Sequence, residues 1–376
     1  MIKQIYNFDE LTMPLWIKVL FLGFYLVIFV YAVKKTILVV PRDKRKVNAS
    51  GLIVLYFTIY AMFYCVNPDY FSYREWMNVN IKEIGIEYWT NENIYAYLIT
   101  FCQSLDISYP YELFRLIVWG GGLLLVFLTA KMYRDILMPG LVVMFLFVLY
   151  SGTFSYGRVS LAMAVYFMGV SILMWGKSGF VKLLGITMAL GSYFFHHQMI
   201  IGVGLLPGII LPFEKKKTIV FALALLGMMM GVIYYINSNV SLMETVFGAD
   251  ELAEKMETYN EREQGLFRVS TAIGYINIFL PFIFVTYFFY QQKQIPKPIV
   301  GIHRITFILL LATVAFFVIS GPRSTYTYRV LYICIIPVSI LVSYCFNQGY
   351  FKSLHLLIMF GFALLTNSMR LISSVQ

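Results

Sequence analysis

Residues 67–77, NPDYFSYREWM, place ionisable and aromatic side chains directly after a run of apolar residues. Asp69 follows Pro68, which ends the preceding helix because proline biases its predecessor away from helical geometry. A carboxylate at such a boundary either caps a surface helix or takes a proton from a reacting group. Its neighbours include Tyr70, Tyr73, Arg74 and Trp76. The rings suit an aromatic belt at a membrane interface, and they also suit a binding site.

Basic side chains stand at the ends of other apolar segments. Arg158 opens one segment in GRVSLAMAVYF, and the pair His196 and His197 ends another in SYFFHHQMII. The further arginines at such positions are Arg115, Arg268, Arg323 and Arg329. Charged side chains beside a membrane helix are costly unless they reach water, pair or line a wet cavity. Because arginine binds phosphate through a planar fork of donors, the set predicts a site for a large anionic ligand.

Each of these side chains also has a structural explanation. Arg115 and Arg323 suit interfacial anchors or partners of an acid on the same face. Arg158 and Arg329 begin helices, where a positive charge meets the unfavourable end of the helix dipole and needs a compensating anion. For His196, which follows two phenylalanines, a packing role and a chemical role remain equally open.

No cofactor or catalytic metal is predicted. Magnesium and manganese sites usually have paired acids, whereas Asp69 is followed only by Glu75 and no DxD occurs. The four cysteines have no CxxC spacing and suit small core residues. Phosphate-loop, dinucleotide and nucleophile-elbow motifs are also missing from the sequence.

The elements that carry these residues must be membrane helices. The chain is 60% hydrophobic and 13% charged, which is too apolar for a soluble globule of 376 residues. We therefore predict an all-α, polytopic membrane protein with about 12 transmembrane helices in a single domain, residues 1–376. The apolar stretches run roughly over 14–33, 49–66, 112–130, 137–154, 159–175, 180–196, 198–213, 218–236, 270–290, 305–320, 330–346 and 354–370.

Lysine and arginine collect in alternate connections, beginning with KKTILVVPRDKRK at 34–46. Short cytoplasmic loops retain positive charge, so both termini are predicted to be extracytoplasmic. The net charge of +10 then reflects cytoplasmic loops, and no nucleic-acid partner is predicted. Two outer loops are long: 67–110 has an interfacial or re-entrant helix in NENIYAYLITFCQSL, and 237–268 has a short acid-rich helix.

Four motifs resemble those of the EpsG-type, Wzy-like polysaccharide polymerases of bacteria. NPDYFSY resembles the family's N-x-D-Y-x-x-Y, RVSLAMAV resembles R-x-x-(L/I)-A-x-A, and FHHQMII is similar to F-H-x-S-A-L-I. YRVLYICIIP is similar to the family's arginine before a terminal helix pair, so Arg329 is a looser match. The residues that match the motifs directly are Asp69, Tyr70, Tyr73, Arg158 and His196. Gln198 stands where serine is usual, so no hydroxyl role is carried over.

The resemblance implies a GT-C-like glycosyltransferase of the bacterial cytoplasmic membrane, with its active site facing the periplasm or exterior. It would polymerise O-antigen or exopolysaccharide repeat units carried on polyprenyl (undecaprenyl) pyrophosphate, without a metal. Its partners would be the lipid-linked donor and acceptor and membrane lipid. Whether it also works beside a chain-length regulator and a flippase is left open.

The chemistry favours direct displacement at the anomeric carbon. An acceptor hydroxyl would attack while a base removes its proton, with His196 the first choice and Asp69 the second. The leaving pyrophosphate is an anion that needs positive charge, which Arg158 would supply. Tyr70, Tyr73, Arg74, Trp76, His197, Arg268, Arg323 and Arg329 are the residues expected to bind substrate.

Other functions remain as alternatives. A ligase that transfers the oligosaccharide to another acceptor would use the same chemistry. A flippase or anion transporter would need polar groups at the membrane midplane and interrupted helices in related halves. A membrane acyltransferase would also use histidine at one face, but the arginines and aromatic residues favour a sugar phosphate.

Overall fold

The structure is a computed structural model that describes part of the chain. It covers residues 93–105, 107, 110–133, 157–212, 218–238, 269–292, 294–320 and 325–350, with positions 19, 20, 23, 27 and 77. Every regular element in these ranges is helical, so the all-α prediction is confirmed for them. The predicted stretches 49–66, 137–154 and 354–370, most of 14–33 and nearly all of the loop 237–268 lie outside the described residues.

Two compact units divide the chain, Met1–Val203 with Ser339–Gln376 and Gly204–Val338. The helices of the first unit are α1 (Asn93–Ser104), α2 (Pro110–Arg115), α3 (Gly121–Met132), α4 (Gly157–Trp175) and α5 (Gly179–Phe195). A short helix α6 (Ile200–Leu205) crosses the boundary. The second unit has α7 (Ile219–Ser238), α8 (Val269–Gln291), α9 (Lys297–Ser320) and α10 (Thr325–Ile333). The last described helix, α11 (Ile335–Asn347), leads back into the first unit.

Three helices of the described ranges are long and apolar enough to cross a membrane: Leu113–Met132, Arg158–Trp175 and Lys297–Ile319. Five shorter apolar helices accompany them, among them Gly179–Phe195 and Ile335–Asn347. This pattern supports a membrane protein with several helical spans. The count of twelve and the orientation of the termini stay predictions.

Helix α9 begins at Lys297, earlier than the predicted start at 305. The prediction stopped there because Arg304 was assigned to a cytoplasmic loop. In the structure Arg304 lies in the helix, and its guanidinium donates to the carbonyls of Ile209 and Ile210 at 3.3 and 3.4 Å. A charge whose donors meet carbonyl oxygens can lie within a helix, so the helix extends about two turns before the predicted apolar stretch. The cytoplasmic placement of Arg304 stays a prediction.

The predicted span 198–213 is not one continuous α-helix. Helix α5 ends at Phe195, and His196 takes an extended backbone with φ −162° and ψ 119°. Two 3₁₀ turns, His197–Met199 and Leu206–Ile210, flank the short α6. Pro207 in the second turn has no N–H for an α-helical bond, which favours this break.

Among the described helices of the first unit, α4 and α5 pack most closely. A Cβ added to Gly169 would lie 2.5 Å from the backbone nitrogen of Ala189, and one added to Gly185 would lie 2.5 Å from that of Leu173. The two backbones therefore touch in antiparallel register. This register places Arg158, at the start of α4, level with the turn that follows α5, and that turn contacts α4.

Gly169→Ala is expected to separate these helices. Its methyl group would meet backbone atoms, the nitrogen of Ala189 at 2.5 Å and the carbonyl oxygen of Gly185 at 2.7 Å, which cannot rotate away. Overpacking of this kind costs about 1–3 kcal/mol, and we expect a lower thermal unfolding midpoint in detergent. Gly191→Ala on α5 is the matched control, because a Cβ there meets nothing within 4 Å. Equal midpoints for the two variants would contradict the close packing.

Candidate functional site

Segments far apart in sequence meet in one buried apolar cluster of the first unit, here called the motif cluster. Met77, the last residue of the opening motif, lies in it together with the buried face of α1. Its other members come from α2, the π-helical turn that follows it, and the first turns of α4, and Phe195 at the end of α5 packs against it. The full set is Met77, Tyr95, Ala96, Ile99, Cys102, Tyr111, Phe114, Val118, Trp119, Leu161 and Val165. The cluster therefore brings together the end of the opening motif, the start of α4 and the end of α5.

Helix α1 contributes one face to this cluster. Tyr95, Ile99 and Cys102 recur at helical spacing and are fully buried, whereas Tyr97 and Phe101 on the other side are exposed. The helix predicted within NENIYAYLITFCQSL is therefore present, and one face packs inside the protein. Its interfacial or re-entrant placement stays a prediction.

The end of the opening motif is tied to α1 by a hydrogen bond. The Gln103 side-chain amide donates to the carbonyl of Met77 at 3.0 Å, and the Met77 side chain is buried. Asp69, the predicted base, lies eight residues before Met77. The motif residues outside the described residues are Asp69, Tyr70, Tyr73, Arg74 and Trp76. Their grouping with the residues below remains a prediction.

Arg158 is held by a tyrosine that sequence reasoning missed. The Tyr95 hydroxyl donates to the carbonyl oxygen of Arg158 at 3.1 Å, and the Arg158 guanidinium carbon lies 6.0 Å from the centre of the Tyr95 ring. The ring is fully buried, so it is a rigid support. A guanidinium over a ring face is attracted by the ring while its edge can still donate to an anion. This placement suits the predicted role of Arg158.

Both backbone groups of His196, the N–H and the carbonyl, form hydrogen bonds. Its N–H donates to the carbonyl of Ser192 at 3.2 Å, and its own carbonyl accepts from the N–H of Met199 at 2.9 Å. Its ring nitrogen Nδ1 accepts from the backbone N–H of Gln198 at 3.2 Å. The residue is 6% exposed and Gln198 is 8% exposed, so the arrangement is shielded from solvent.

The segment after His196 is anchored to α4 at a second point. The Tyr166 hydroxyl donates to the carbonyl oxygen of Gly202 at 2.6 Å, in buried surroundings. A Cβ at Gly202 would lie 3.2 Å from the Tyr166 ring, so the close approach favours glycine there. The turn that contains His196 is therefore fixed at two points, by the end of α5 on one side and by the hydrogen bond from Tyr166 on the other.

Arg158 and His196 consequently lie at the same end of the α4–α5 pair. Leu161, one turn beyond Arg158, and Phe195, which precedes His196, both belong to the packing of the motif cluster. The structure thus brings two of the five motif-matched residues to one end of the unit that also contains Met77. The side chain of His197 is outside the described part.

The described part of the structure does not place the remaining predicted arginines beside Arg158 and His196. Arg268 and Arg323 lie outside the described ranges. Arg329 is in helix α10 of the second unit, and its side chain is not described. Their participation in one anion site stays a prediction.

Arg115 was predicted to be either an interfacial anchor or the partner of an acid on the same face. The side chain is only 4% exposed, and its guanidinium carbon lies 5.8 Å from the Tyr111 ring and 5.6 Å from the Trp119 ring. It ends α2 immediately before the π-helical turn Leu116–Gly120. The anchor alternative was wrong, because the π-helical turn and the two rings enclose a charge that hydropathy alone would place at the surface. Pairing of Arg115 with an acid stays a prediction.

The described cysteines are packing residues, as predicted. Cys102, Cys334 and Cys345 are buried thiols, whereas Cys65 lies outside the described residues. Burial raises the pKa of the Cys102 thiol to about 11, so it stays protonated at neutral pH. No three His, Cys, Asp or Glu side chains that could hold a metal lie together in the part that the structure describes. Asp69 and Glu75 are outside that part, and metal independence stays a prediction.

Tyr95→Phe is expected to loosen the first turn of α4 while leaving the ring in place. The variant loses only the hydroxyl that donates to the Arg158 carbonyl, and a hydrogen bond of this kind contributes about 0.5–1.5 kcal/mol. We expect a small decrease in the thermal unfolding midpoint in detergent. Tyr97→Phe, on the exposed face of α1, is the control, and its midpoint should not change. A decrease of equal size in both variants would contradict the role assigned to the Tyr95 hydroxyl.

Comparison with known proteins gives one result that covers most of the chain. The model of a family described as the EpsG family matches residues 51–374. The matched range includes the opening motif, Arg158, His196 and Arg329. No curated protein and no solved structure shows significant similarity to the chain.

Proposed function

Because the chain belongs to the EpsG family of Wzy-like polysaccharide polymerases, we propose that it joins oligosaccharide repeat units carried on polyprenyl pyrophosphate. The reaction is glycosyl transfer at the outer face of the bacterial cytoplasmic membrane. The observation that carries this proposal is the position of Arg158 and His196, two motif residues, at one end of the α4–α5 pair beside the motif cluster. The partners proposed for the reaction are the lipid-linked donor and acceptor and membrane lipid, with a flippase and a chain-length regulator as further candidates.

Arg158 is the proposed contact for the pyrophosphate. A lipid diphosphate presents its negative charge at the membrane boundary, where an arginine that never loses its proton offers paired donors. The Tyr95 ring and hydroxyl restrict the residue, so little ordering is required when the substrate binds. Arg329, Arg268, Arg323, Arg74 and His197 are proposed to extend this anion site, with Tyr70, Tyr73 and Trp76 against the sugars.

The proposed step is a direct displacement without a metal. The acceptor hydroxyl attacks the anomeric carbon, the bond to the pyrophosphate oxygen breaks, and the pyrophosphate departs with the bonding electrons. The hydroxyl proton passes to a base, for which Asp69 and His196 are the two candidates. A single displacement inverts the anomeric configuration, and retention would need a covalent intermediate.

The test is reconstitution of the purified chain in nanodiscs with polyprenyl-pyrophosphate repeat units and EDTA. We expect a ladder of products that differ by one repeat unit. Transfer of one unit to a different acceptor would indicate a ligase, and translocation without a new glycosidic bond would indicate a flippase. Loss of the ladder in EDTA with rescue by Mn²⁺ would overturn metal independence while leaving the polymerase assignment in place.

A further inference from the structure

The hydrogen bond at His196 determines which ring nitrogen carries the proton. The backbone N–H of Gln198 donates to Nδ1 at 3.2 Å. A backbone N–H can only donate, so Nδ1 must be the acceptor and must be unprotonated. A neutral imidazole has one protonated nitrogen, which here is Nε2.

The surroundings hold this tautomer in place. The extended backbone of His196 is followed at once by the 3₁₀ turn His197–Met199, and this geometry brings the Gln198 N–H against the ring. Both His196 and Gln198 are more than nine-tenths buried. Rotating the ring would break the hydrogen bond that Nδ1 accepts from the Gln198 N–H, and protonating Nδ1 would set two N–H groups against each other.

We propose that His196 serves the polymerase as a hydrogen-bond donor through Nε2–H, and that it is not the general base. A base needs an unprotonated nitrogen within reach of the hydroxyl, and Nε2 is already protonated. The group that Nε2–H suits is an oxygen that carries negative charge on the substrate diphosphate. Arg158 at the same end of the helix pair favours the same ligand.

This assignment rests on the proposed function and changes one part of it. As the acceptor oxygen bonds to the anomeric carbon, its proton goes to another base, for which Asp69 is the candidate. The pyrophosphate oxygen leaves with the electron pair and receives the Nε2–H hydrogen bond and the positive charge of Arg158. His196 keeps its own proton throughout, so no proton is gained or lost at the ring.

Amide variants separate a donor from a base. In His196→Gln the side-chain amide nitrogen can occupy the place of Nε2 and donate, although it cannot act as a base. His196→Asn carries the same amide one methylene shorter, so it reaches only the place of Nδ1. We expect kcat/KM for His196→Gln within about tenfold of the original protein, and losses of about 10²–10³ for His196→Asn and His196→Ala. Equal losses for all three folded variants would overturn the proposal.

A second measurement does not depend on activity. Solid-state ¹⁵N NMR of histidine-labelled protein in nanodiscs reports which nitrogen of each ring carries hydrogen. The chain has four histidines, and the His196 signals are identified by their loss in His196→Gln. We expect an unprotonated Nδ1 and a protonated Nε2, and the reverse pattern would overturn the proposal. If the unmodified protein makes no ladder, the proposed function fails, while the NMR result still decides the tautomer.

Discussion

Arg158→Ala is expected to lower kcat/KM for repeat-unit polymerisation by about 10²–10³. The guanidinium stands at the start of α4, over the buried Tyr95 ring, and is proposed to meet the charge that develops on the leaving pyrophosphate. In the alanine variant, water would occupy the place of the guanidinium, and water supplies no fixed positive charge when the pyrophosphate leaves. The measurement is the initial rate of ladder formation in nanodiscs, at several concentrations of lipid-linked donor.

Two further variants make this result specific. Arg158→Lys keeps the charge but loses the planar fork and the stacking on Tyr95, so its rate should fall between those of the alanine variant and the original protein. Lys182→Ala removes an exposed charge from the opposite end of the α4–α5 pair and should leave the rate unchanged. The role assigned to Arg158 would be contradicted if its alanine variant kept full activity or if the Lys182 variant lost as much.

Asp69→Asn is expected to lower kcat by about 10²–10⁴, the usual contribution of a general base. The amide has nearly the same shape as the carboxylate but cannot accept the proton of the attacking hydroxyl. Asp69 is eight residues before Met77, whose carbonyl accepts a hydrogen bond from Gln103 beside the motif cluster. The measurement is kcat against pH: the original protein should slow on acidification as its base becomes protonated, and the variant should lack that dependence.

Glu75→Gln, in the same segment, is the control for a change of charge alone and should retain the original kcat. Asp69→Glu keeps a carboxylate and should recover part of the rate lost in Asp69→Asn. The opposite pattern, in which Asp69→Asn is fully active and every His196 variant is inactive, would return the role of base to His196. That pattern would also overturn the donor role proposed for the Nε2–H group.

Helical segments were predictable wherever hydropathy and local breakers act over a few residues. The predicted stretch 159–175 corresponds to Gly157–Trp175, and the predicted stretch 180–196 corresponds to Gly179–Phe195. The predicted stretch was too short for α9, where Arg304 lies inside the helix. A charge is costly in lipid but tolerable where carbonyl oxygens accept its hydrogen bonds, and the carbonyls of Ile209 and Ile210 lie about 95 residues away in the chain.

The candidate site was predictable in part for the same reason. Arg158 and His196 were identified because each stands beside an apolar helix and within a short motif. Tyr95 was not identified, because its partner Arg158 is 63 residues away and nothing near Tyr95 marks it as different from the other tyrosines of the loop. The signal that was available is its place on the α1 face with Ile99 and Cys102, a helical stripe that indicates burial.

The amino-acid sequence by itself determined the helical class, the apolar segments, the family to which the chain belongs and the short list of ionisable residues, because all of these depend on composition and local order. Tertiary structure alone decided that Arg115 is enclosed by two rings and that Tyr95 supports Arg158. It also decided that the ring of His196 accepts at Nδ1, since this depends on the extended backbone and tight turn that end α5. These features are set by packing and by the exact direction of a few hydrogen bonds, which residue type and spacing do not specify.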